Sequence, residues 1–243
     1  MGYDLIKIPR SADGGLLPGV QDKTFDEMFK LFQPYTMTSI ERMFALFNAV
    51  HYVVKNKIEG DFVECGVWKG GSAMMMAAVL HHLGDTRRKI YLYDTYEGMS
   101  TPSEKDKDYR GNDAKSLLEH SSKENQESVW CYSSMDEVKS NMGKTKFPID
   151  KVILVKGKVE DTIPANLPEG GIALLRLDTD WYESTLHELN YLYPALVSKG
   201  VLIIDDYGHW QGSRKAVDEF FEREKNKVLL NRIDYTGRIS VKP

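Results

Sequence analysis

Five short runs of mainly apolar residues constrain the fold of this 243-residue chain more than any other feature of its sequence. They span residues 62–65, 90–94, 152–155, 172–178 and 201–205. A half-exposed strand would alternate apolar and polar residues, whereas these runs are nearly continuous and suit parallel strands buried on both faces. Helical patterns separate the later runs, notably at residues 183–196. The alternation predicts an α/β fold built on an open, doubly wound sheet.

The two ends of the chain and one long interior segment depart from this alternation. Residues 228–241 contain two further short runs, which predict a C-terminal antiparallel hairpin and bring the sheet to seven strands. Helical patterns at residues 24–31 and 39–54 precede the first strand. Residues 1–23 carry several Gly and Pro residues, and we interpret them as a loose arm or a segment exchanged with a partner copy. The polar segment at residues 98–150 is too long for a plain connection and indicates a lid or an insertion on the substrate side.

The composition argues against several classes of function. The formal net charge is −4 and the isoelectric point about 5.9, so the chain offers no positive field to attract a nucleic acid. Its apolar runs fall short of the ~20 residues that span a bilayer, and its first residues lack the apolar segment of a signal peptide. Two cysteines, Cys65 and Cys131, are too few for a disulfide framework and suit a reducing compartment. We therefore expect a cytoplasmic protein without nucleic-acid or membrane partners.

Acidic residues recur where the predicted strands end. In an open parallel sheet, ligands bind beyond the carboxyl ends of the strands, so these side chains should face one crevice. The residues concerned are Glu64, Asp94, Asp178, Asp180, Asp205 and Asp206. Their convergence from several strands is a stronger signal than any single motif.

A glycine-rich turn follows the first predicted strand and reads ECGVWKGGS from Glu64 to Ser72. Gly66 and Gly71 would let the backbone approach a ligand, and the helix that starts at Ser72 offers free N–H groups. The pattern E-x-G-x-x-x-G-G is not the dinucleotide fingerprint G-x-G-x-x-G. Its leading acid suits an ammonium or hydroxyl group better than a pyrophosphate, which favours S-adenosylmethionine (SAM) as the ligand. A glycine-rich turn with a solvated acid is the alternative interpretation.

The acid that closes the second predicted strand is Asp94. A carboxylate at this position can accept hydrogen bonds from both ribose hydroxyls of an adenosine. NAD would make the same contact, so Asp94 indicates an adenosine without identifying the cofactor. A role as a loop acid or a helix cap is the alternative.

Four carboxylates lie at the ends of the fourth and fifth predicted strands, in Asp178-Thr179-Asp180 and Asp205-Asp206. So much like charge is costly, and a bound cation would offset the repulsion. Oxygen ligands alone indicate a hard ion such as Mg²⁺ or Mn²⁺, which could hold a substrate hydroxyl, lower its pKa and orient it. The ion needs two or three carboxylates, which leaves one as a general base. His209 follows closely and could assist proton transfer, although it could equally be an ordinary surface histidine.

Other functions are compatible with parts of this pattern. A metal-dependent glycosyltransferase would use residues 178–180 as an Asp-x-Asp motif against a nucleotide diphosphate, but it would leave the acid-led glycine turn unexplained. A nicotinamide-dependent oxidoreductase would need the missing G-x-G-x-x-G. A non-catalytic SAM-binding subunit would be expected to have lost some of the six acids. The four carboxylates could also be solvated loop acids, although both pairs directly follow apolar strands.

The motifs around these acids are long and specific. They are YTMTS at residues 35–39, DFVECGVWKGGS at 61–72, LDTDWYEST at 177–185, LYP at 192–194, GVLIIDDYG at 200–208 and GSRKAVD at 212–218. Together they resemble the macrocin O-methyltransferase family (TylF/MycF/NovP-like) over about residues 34–221. The resemblance implies a Rossmann-like class I methyltransferase fold with helices on both faces of a mostly parallel sheet. It also implies SAM as the methyl donor and Mg²⁺ as the activator.

The resemblance also suggests roles for individual residues of this chain. Asp178, Asp205 and Asp206 would hold the metal, and Asp180 would be the general base. Together with the glycine turn and Asp94, the cofactor-binding set becomes Thr36, Met37, Ser39, Glu64, Gly66, Gly71, Ser72, Asp94, Val159, Glu160 and Asp178. An N-terminal arm with helices at residues 1–58 would cover the cofactor site, and residues 59–243 would form the SAM-dependent methyltransferase domain.

The resulting hypothesis is a SAM- and Mg²⁺-dependent O-methyltransferase that acts on a hydroxyl of a glycoside or another sugar-containing small molecule. Known members of the family methylate deoxysugars of antibiotics, so natural-product or polysaccharide biosynthesis is the expected setting. A metal that binds two neighbouring oxygens predicts a vicinal diol as the acceptor. The resemblance also implies a dimer or larger homo-oligomer. The segment at residues 98–150 differs most from the family pattern, and the acceptor's identity is not predicted.

Overall fold

The chain forms a seven-stranded sheet in the order β3-β2-β1-β4-β5-β7-β6, in a computed structural model that describes residues 17, 20–125 and 128–243. The strands are β1 (Asp61–Cys65), β2 (Ile90–Asp94), β3 (Val152–Lys156), β4 (Ile172–Leu177), β5 (Leu196–Ile204), β6 (Asn231–Arg232) and β7 (Arg238–Val241). Strands β1 to β5 are parallel, and β7 is antiparallel to both β5 and β6. The predicted sheet and C-terminal hairpin are confirmed. Of the predicted arm at residues 1–23, only residues 17 and 20–23 are described, and Lys23 already belongs to a helix, so most of this prediction lies outside the described residues.

Helices cover both faces of the sheet, as the doubly wound fold requires. They are α1 (Lys23–Phe32), α2 (Ile40–Lys55), α3 (Gly71–His82), α4 (Ala114–Glu119), α5 (Met135–Met142), α6 (Val159–Thr162), α7 (Tyr182–Ala195) and α8 (Gln211–Arg223). Phe25 of α1, Met43 of α2 and Met75 of α3 belong to one apolar core, whereas Leu189 of α7 and Val217 of α8 belong to the other. Within the described part of the chain, no helix is long and apolar enough to cross a membrane.

Strand β4 shows why the strands appear in the sequence as continuous apolar runs. All six of its residues are buried, with Leu174 in one core and Leu175 in the other. A strand covered on both faces needs an apolar residue at nearly every position. Arg176 is the exception, because a buried arginine requires charged or polar partners to be tolerated.

The insertion at residues 98–150 contains α4 and α5 and contacts the segments that follow the carboxyl ends of β4 and β5. Asp106 is fully buried and accepts a hydrogen bond from Tyr182 N at 2.8 Å, at the start of α7. Asp108 forms an isolated β-bridge with Trp210, just before α8. These contacts place the insertion beside the strand ends where the predicted site residues lie.

Close backbone contacts hold the carboxyl ends of β1, β2 and β4 together. Gly66 N donates to Tyr93 O at 2.9 Å, and Asp178 N donates to Cys65 O at 2.9 Å. Gly66 has a φ of +79°, and a Cβ there would lie 1.9 Å from Asp178 O. Glycine is therefore required at this position both for the conformation and for the space.

We expect Gly66→Ala to lower the free energy of unfolding by about 1–3 kcal/mol more than Gly84→Ala, because a methyl group at Gly66 collides with backbone atoms. Gly84 also has a positive φ, +73°, but a Cβ there meets open space. It therefore measures the conformational cost alone, about 1–2 kcal/mol. Urea unfolding of both variants makes the comparison, and equal losses would contradict the close approach of β1 and β4.

Candidate active site

A cavity of about 400 Å³ opens at the carboxyl ends of the central strands. Ligand pockets of ~300–1,000 Å³ hold one drug-sized molecule, so the space suits a nucleoside-sized ligand. The predicted site residues that line it are Thr36, Met37, Gly66, Gly71, Ser72, Asp94, Val159, Glu160, Asp178, Asp180, Asp205, Asp206 and His209. The insertion contributes part of the wall through Met99, Ser100 and Val129. Residues far apart in the sequence therefore share one cavity.

Two of the predicted cofactor-binding residues, Ser39 and Glu64, lie behind the cavity wall instead. Ser39 caps α2 by accepting a hydrogen bond from Arg42 N, and its hydroxyl donates to Asp234 Oδ2 at 2.7 Å. Glu64 is 1% exposed and accepts a hydrogen bond from Arg176. In this structure both side chains support residues that face the cavity.

The segment at residues 35–38 packs directly on the glycine turn. A Cβ on Gly71 would lie 2.6 Å from both Tyr35 O and Thr36 Cβ, so only glycine allows the two segments to meet. Thr36 Oγ1 accepts a hydrogen bond from Thr38 N at 3.1 Å, which fixes the local turn. The segment therefore forms a roof over the end of β1.

Asp94 lines the cavity but also organises the glycine turn. Its Oδ2 accepts hydrogen bonds from Val67 N at 2.7 Å and Trp68 N at 3.2 Å, and its Oδ1 accepts one from Tyr96 N at 2.7 Å. Burial raises the pKa of Asp94, and these backbone N–H groups counteract that shift. The Thr95 hydroxyl donates to Asp94 Oδ1 over a long 3.5 Å, so all of the about four lone-pair sites of the carboxylate have protein donors, and a ligand hydroxyl would replace this weakest contact.

Asp178, Asp205 and Asp206 converge at one end of the cavity. One carboxylate oxygen from each lies within 4.8 Å of the other two. Burial raises the pKa of Asp178 and Asp206 well above the usual value, and repulsion from neighbouring acids adds to that effect. Three hard oxygen donors at this spacing, with unfavourable mutual repulsion, fit a Mg²⁺ or Mn²⁺ ion.

Asp180 lies beside this cluster in an unusual backbone conformation. Its φ is +65°, and its N–H donates to Asp206 Oδ2 at 3.2 Å. Burial raises the pKa of Asp180 to about 7, although hydrogen bonding to Asp206 and Trp210 opposes the shift. A left-handed conformation at a non-glycine residue is costly and often marks a functional position.

His209 lines the cavity and is held by aromatic neighbours. Its Nδ1 lies 3.0 Å from the Tyr235 hydroxyl, and its ring packs 4.9 Å from Trp210 and 5.4 Å from Tyr109. Burial lowers the pKa of His209, which favours the neutral imidazole. The histidine is therefore part of the cavity wall and not a freely solvated surface residue.

Arg176 is the main site residue that the sequence analysis missed. Its guanidinium contacts Glu64, Asp178 and Asp205, with Nη2 at 2.7 Å from Asp178 Oδ2 and 2.8 Å from Asp205 Oδ1. Burial would lower the pKa of Arg176, but the three carboxylates raise it, so it stays charged. The signal was present in the sequence as the only charged residue inside an otherwise apolar strand.

Arg42 of α2 is a second cation that the sequence analysis did not identify. Its Nη1 contacts Asp205 Oδ2, and its Nε lies 3.0 Å from Asp234 Oδ2. Both carboxylates are more than 160 positions away in the chain. A single sequence gives no signal for a pairing over such a separation.

Known proteins share this fold and these motifs. The model of the macrocin-O-methyltransferase (TylF) family matches residues 28–240. The 8-demethyl-8-(2,3-dimethoxy-alpha-L-rhamnosyl)-tetracenomycin-C 4'-O-methyltransferase of Streptomyces olivaceus is 35% identical over 203 residues, which cover 84% of this chain and 74% of that enzyme. The demethyldecarbamoylnovobiocin O-methyltransferase of Streptomyces niveus is 32% identical with the same coverage. The structure of the O-methyltransferase NovP has a TM-score of 0.73 at 28% identity and covers 86% of this chain and 82% of its own.

The fold, the cavity and these similarities define a class I, SAM-dependent O-methyltransferase. More narrowly, the chain belongs to the macrocin-O-methyltransferase family. The assignment argues against the glycosyltransferase and oxidoreductase interpretations of the sequence, because the matching family model is that of O-methyltransferases. It also explains why the turn after β1 lacks a dinucleotide fingerprint.

Arg176→Met should lower the free energy of unfolding by about 3–5 kcal/mol, because it leaves buried carboxylates without their cation. Without Arg176, the folded-state pKa of Glu64, already raised to about 7 by burial, rises further above its unfolded value. Wild-type Glu64 already holds its proton below its folded-state pKa of about 7, so the additional loss in the variant should appear above that pH and grow as the pH rises from about 7 to about 9. Urea unfolding across this range tests the prediction.

Arg176→Lys provides the control for this experiment. It keeps a positive charge but loses the planar guanidinium that bridges several carboxylates. Its stability should fall between those of the wild type and Arg176→Met. If Arg176→Met were as stable as the wild type at pH 8, the bridge would have no structural role.

Proposed function

We propose that this enzyme transfers the methyl group of SAM to a sugar hydroxyl of a glycoside and that a divalent cation assists the reaction. The supporting observation is the convergence of Asp178, Asp205 and Asp206 beside Asp180 in the cavity. The name of the Streptomyces olivaceus relative specifies methylation at a 4' position and an acceptor with a rhamnosyl unit. A sugar acceptor is the natural extension of this relationship to the present chain.

The donor would lie along the glycine turn, between β1 and the roof at residues 35–38. Asp94 would accept a hydrogen bond from one ribose hydroxyl, and the start of α6 at Val159 and Glu160 would lie beside the adenine. Gly66, Gly71 and Ser72 line the cavity and would lie beside the methionine part of SAM. Glu64 and Ser39 would contribute indirectly, because one holds Arg176 and the other caps α2.

The cation would be held by Asp178, Asp205 and Asp206. When bound, Mg²⁺ or Mn²⁺ lowers the pKa of a neighbouring hydroxyl and favours an acceptor that presents two adjacent oxygens, hence a vicinal diol. The three carboxylates supply the hard ligands, and Arg176 holds two of them in place. In metal sites generally, residues that do not touch the metal orient its ligands through hydrogen bonds or ion pairs.

Asp180 would be the general base. Burial raises the pKa of Asp180 above the usual value of an aspartate, which makes it a stronger proton acceptor. Asp180 would accept the proton of the acceptor hydroxyl, whose oxygen forms the new bond to the methyl carbon as the carbon–sulfur bond breaks. S-adenosylhomocysteine (SAH) leaves as the product. His209 lines the same cavity and would help to pass the proton to solvent.

The insertion at residues 98–150 would form the acceptor side of the cavity. Met99, Ser100 and Val129 line the cavity, and Tyr109 packs against His209. The insertion is therefore positioned to contact the part of the acceptor that is not methylated. Its divergence from the family pattern would then correspond to a different acceptor.

Asp180→Asn should reduce kcat by about 10²–10⁴, because the amide cannot accept the acceptor's proton. Asparagine has nearly the same shape, so SAH affinity by calorimetry should stay within about twofold of the wild type. Methyl transfer is measured on an acceptor selected from a panel of methyl glycosides. Asp150→Asn, an exposed residue outside the cavity, is the matched control. A large loss of SAH binding in Asp180→Asn would mean that Asp180 belongs to the donor site.

Removal of divalent cations by EDTA should abolish methyl transfer, and Mg²⁺ or Mn²⁺ should restore it. Asp206→Asn should require more Mg²⁺ for half-maximal rate, because it removes one charged ligand. An acceptor that lacks the hydroxyl next to the methylated one should lose at least about tenfold in kcat/KM. Full activity in EDTA would refute the cation, whereas an unaffected deoxy acceptor would refute only the vicinal diol.

A further inference from the structure

One oxygen of Asp205 is covered by the side chain of Arg42. The guanidinium of Arg42 lines the cavity, and its Nη1 contacts Asp205 Oδ2. The other oxygen of Asp205, Oδ1, lies 2.8 Å from Arg176 Nη2. Both oxygens of this carboxylate are therefore ion-paired with arginines.

The two arginines differ in how firmly they are held. Arg176 projects from β4, its side chain is 3% exposed, and it also contacts Glu64 and Asp178. Arg42 is 12% exposed at the cavity wall and has a second carboxylate, Asp234, at 3.0 Å from its Nε. Arg42 can therefore give up Asp205 without losing all of its negative partners.

The positive charge of Arg42, which lies against Asp205, opposes the binding of a divalent ion in two ways. It occupies an oxygen that the ion would use, and it repels the ion at short range, where Coulomb interactions in a partly buried site are strong. It also offsets the repulsion among the acids, which favours the ion-free protein. The guanidinium of Arg42 therefore lies where the ion would contact Asp205, and it carries a positive charge as the ion does.

We propose that the guanidinium of Arg42 competes with the divalent cation for Asp205 and thereby sets the cation affinity of the site. The inference rests on the cation site of the proposed function. Binding of the ion requires Arg42 to release Asp205 Oδ2 while it keeps its pairing with Asp234. The carboxylates keep a partner when the ion is absent, and the ion is held more weakly than three carboxylates alone would hold it.

The test measures binding of Mg²⁺ and Mn²⁺ to the full chain by calorimetry, without SAM or an acceptor. Arg42→Met should bind both ions about tenfold or more tightly, because the competing charge is gone. Its melting temperature without ions should fall, and the increase on adding Mg²⁺ should exceed that of the wild type. Arg87→Met changes the net charge equally at a residue whose side chain is 78% exposed and should leave the affinity unchanged.

Asp234→Asn provides a second test, in which the Mg²⁺ affinity should change in the opposite direction. The asparagine oxygen can still accept the hydrogen bonds from Thr236 N and Gly237 N, so the hairpin turn is retained. Arg42 loses its alternative charged partner, holds Asp205 more strongly, and should lower the Mg²⁺ affinity. This variant keeps the test informative if Arg42→Met folds poorly.

The outcomes separate this inference from the cation site itself. Tighter binding in Arg42→Met with weaker binding in Asp234→Asn supports competition. If the wild type binds Mg²⁺ and Arg42→Met binds it equally or less tightly, the inference is overturned and Arg42 is a positioning residue. If neither the wild type nor either variant binds Mg²⁺ or Mn²⁺, both the competition and the proposed cation site are wrong.

Discussion

The ion pairs of Arg176 link the strand ends on which the cavity is built. Its guanidinium, buried on β4, contacts Glu64 of β1 and two acids, Asp178 and Asp205, that follow β4 and β5. A planar group with five donors can bridge several carboxylates, which an ammonium cannot do with the same geometry. Without this charge, burial would drive the acids toward their protonated forms. One arginine inside the sheet therefore permits a dense group of acids at the edge of an apolar core.

The acids of the site fall into two groups by the direction they face. Glu64 faces inward and acts on the cavity through Arg176, whereas Asp178, Asp180 and Asp206 line the cavity. Asp94 belongs to both groups, because it lines the cavity and also accepts three backbone hydrogen bonds. A substitution at Asp94 would therefore change the shape of the glycine turn as well as any contact with a ligand.

The sequence was sufficient for the sheet and for finding a set of residues most of which line the cavity. Continuous apolar runs identify buried parallel strands, and acids after such runs must meet where the strand ends meet. The sequence did not predict whether a given side chain at a strand end faces the cavity or the interior. Glu64 was predicted to face the ligand, but the neighbouring strand carries Arg176, which draws its carboxylate inward. Arg42 and Asp234 were missed because their pairing joins segments that no local pattern connects.

The contact between Ser39 and Asp234 joins two segments separated by 195 positions in the chain. Ser39 starts the helix behind the cavity roof, and Asp234 belongs to the turn between β6 and β7. During synthesis on a ribosome, the N-terminal helices and strands emerge first. The hydrogen bond between Ser39 and Asp234 can form only after the C-terminal hairpin has been made. A nascent chain that lacks the hairpin cannot form this hydrogen bond, which helps to hold the cavity roof. Binding of the methyl donor should therefore be among the last properties that the new enzyme acquires.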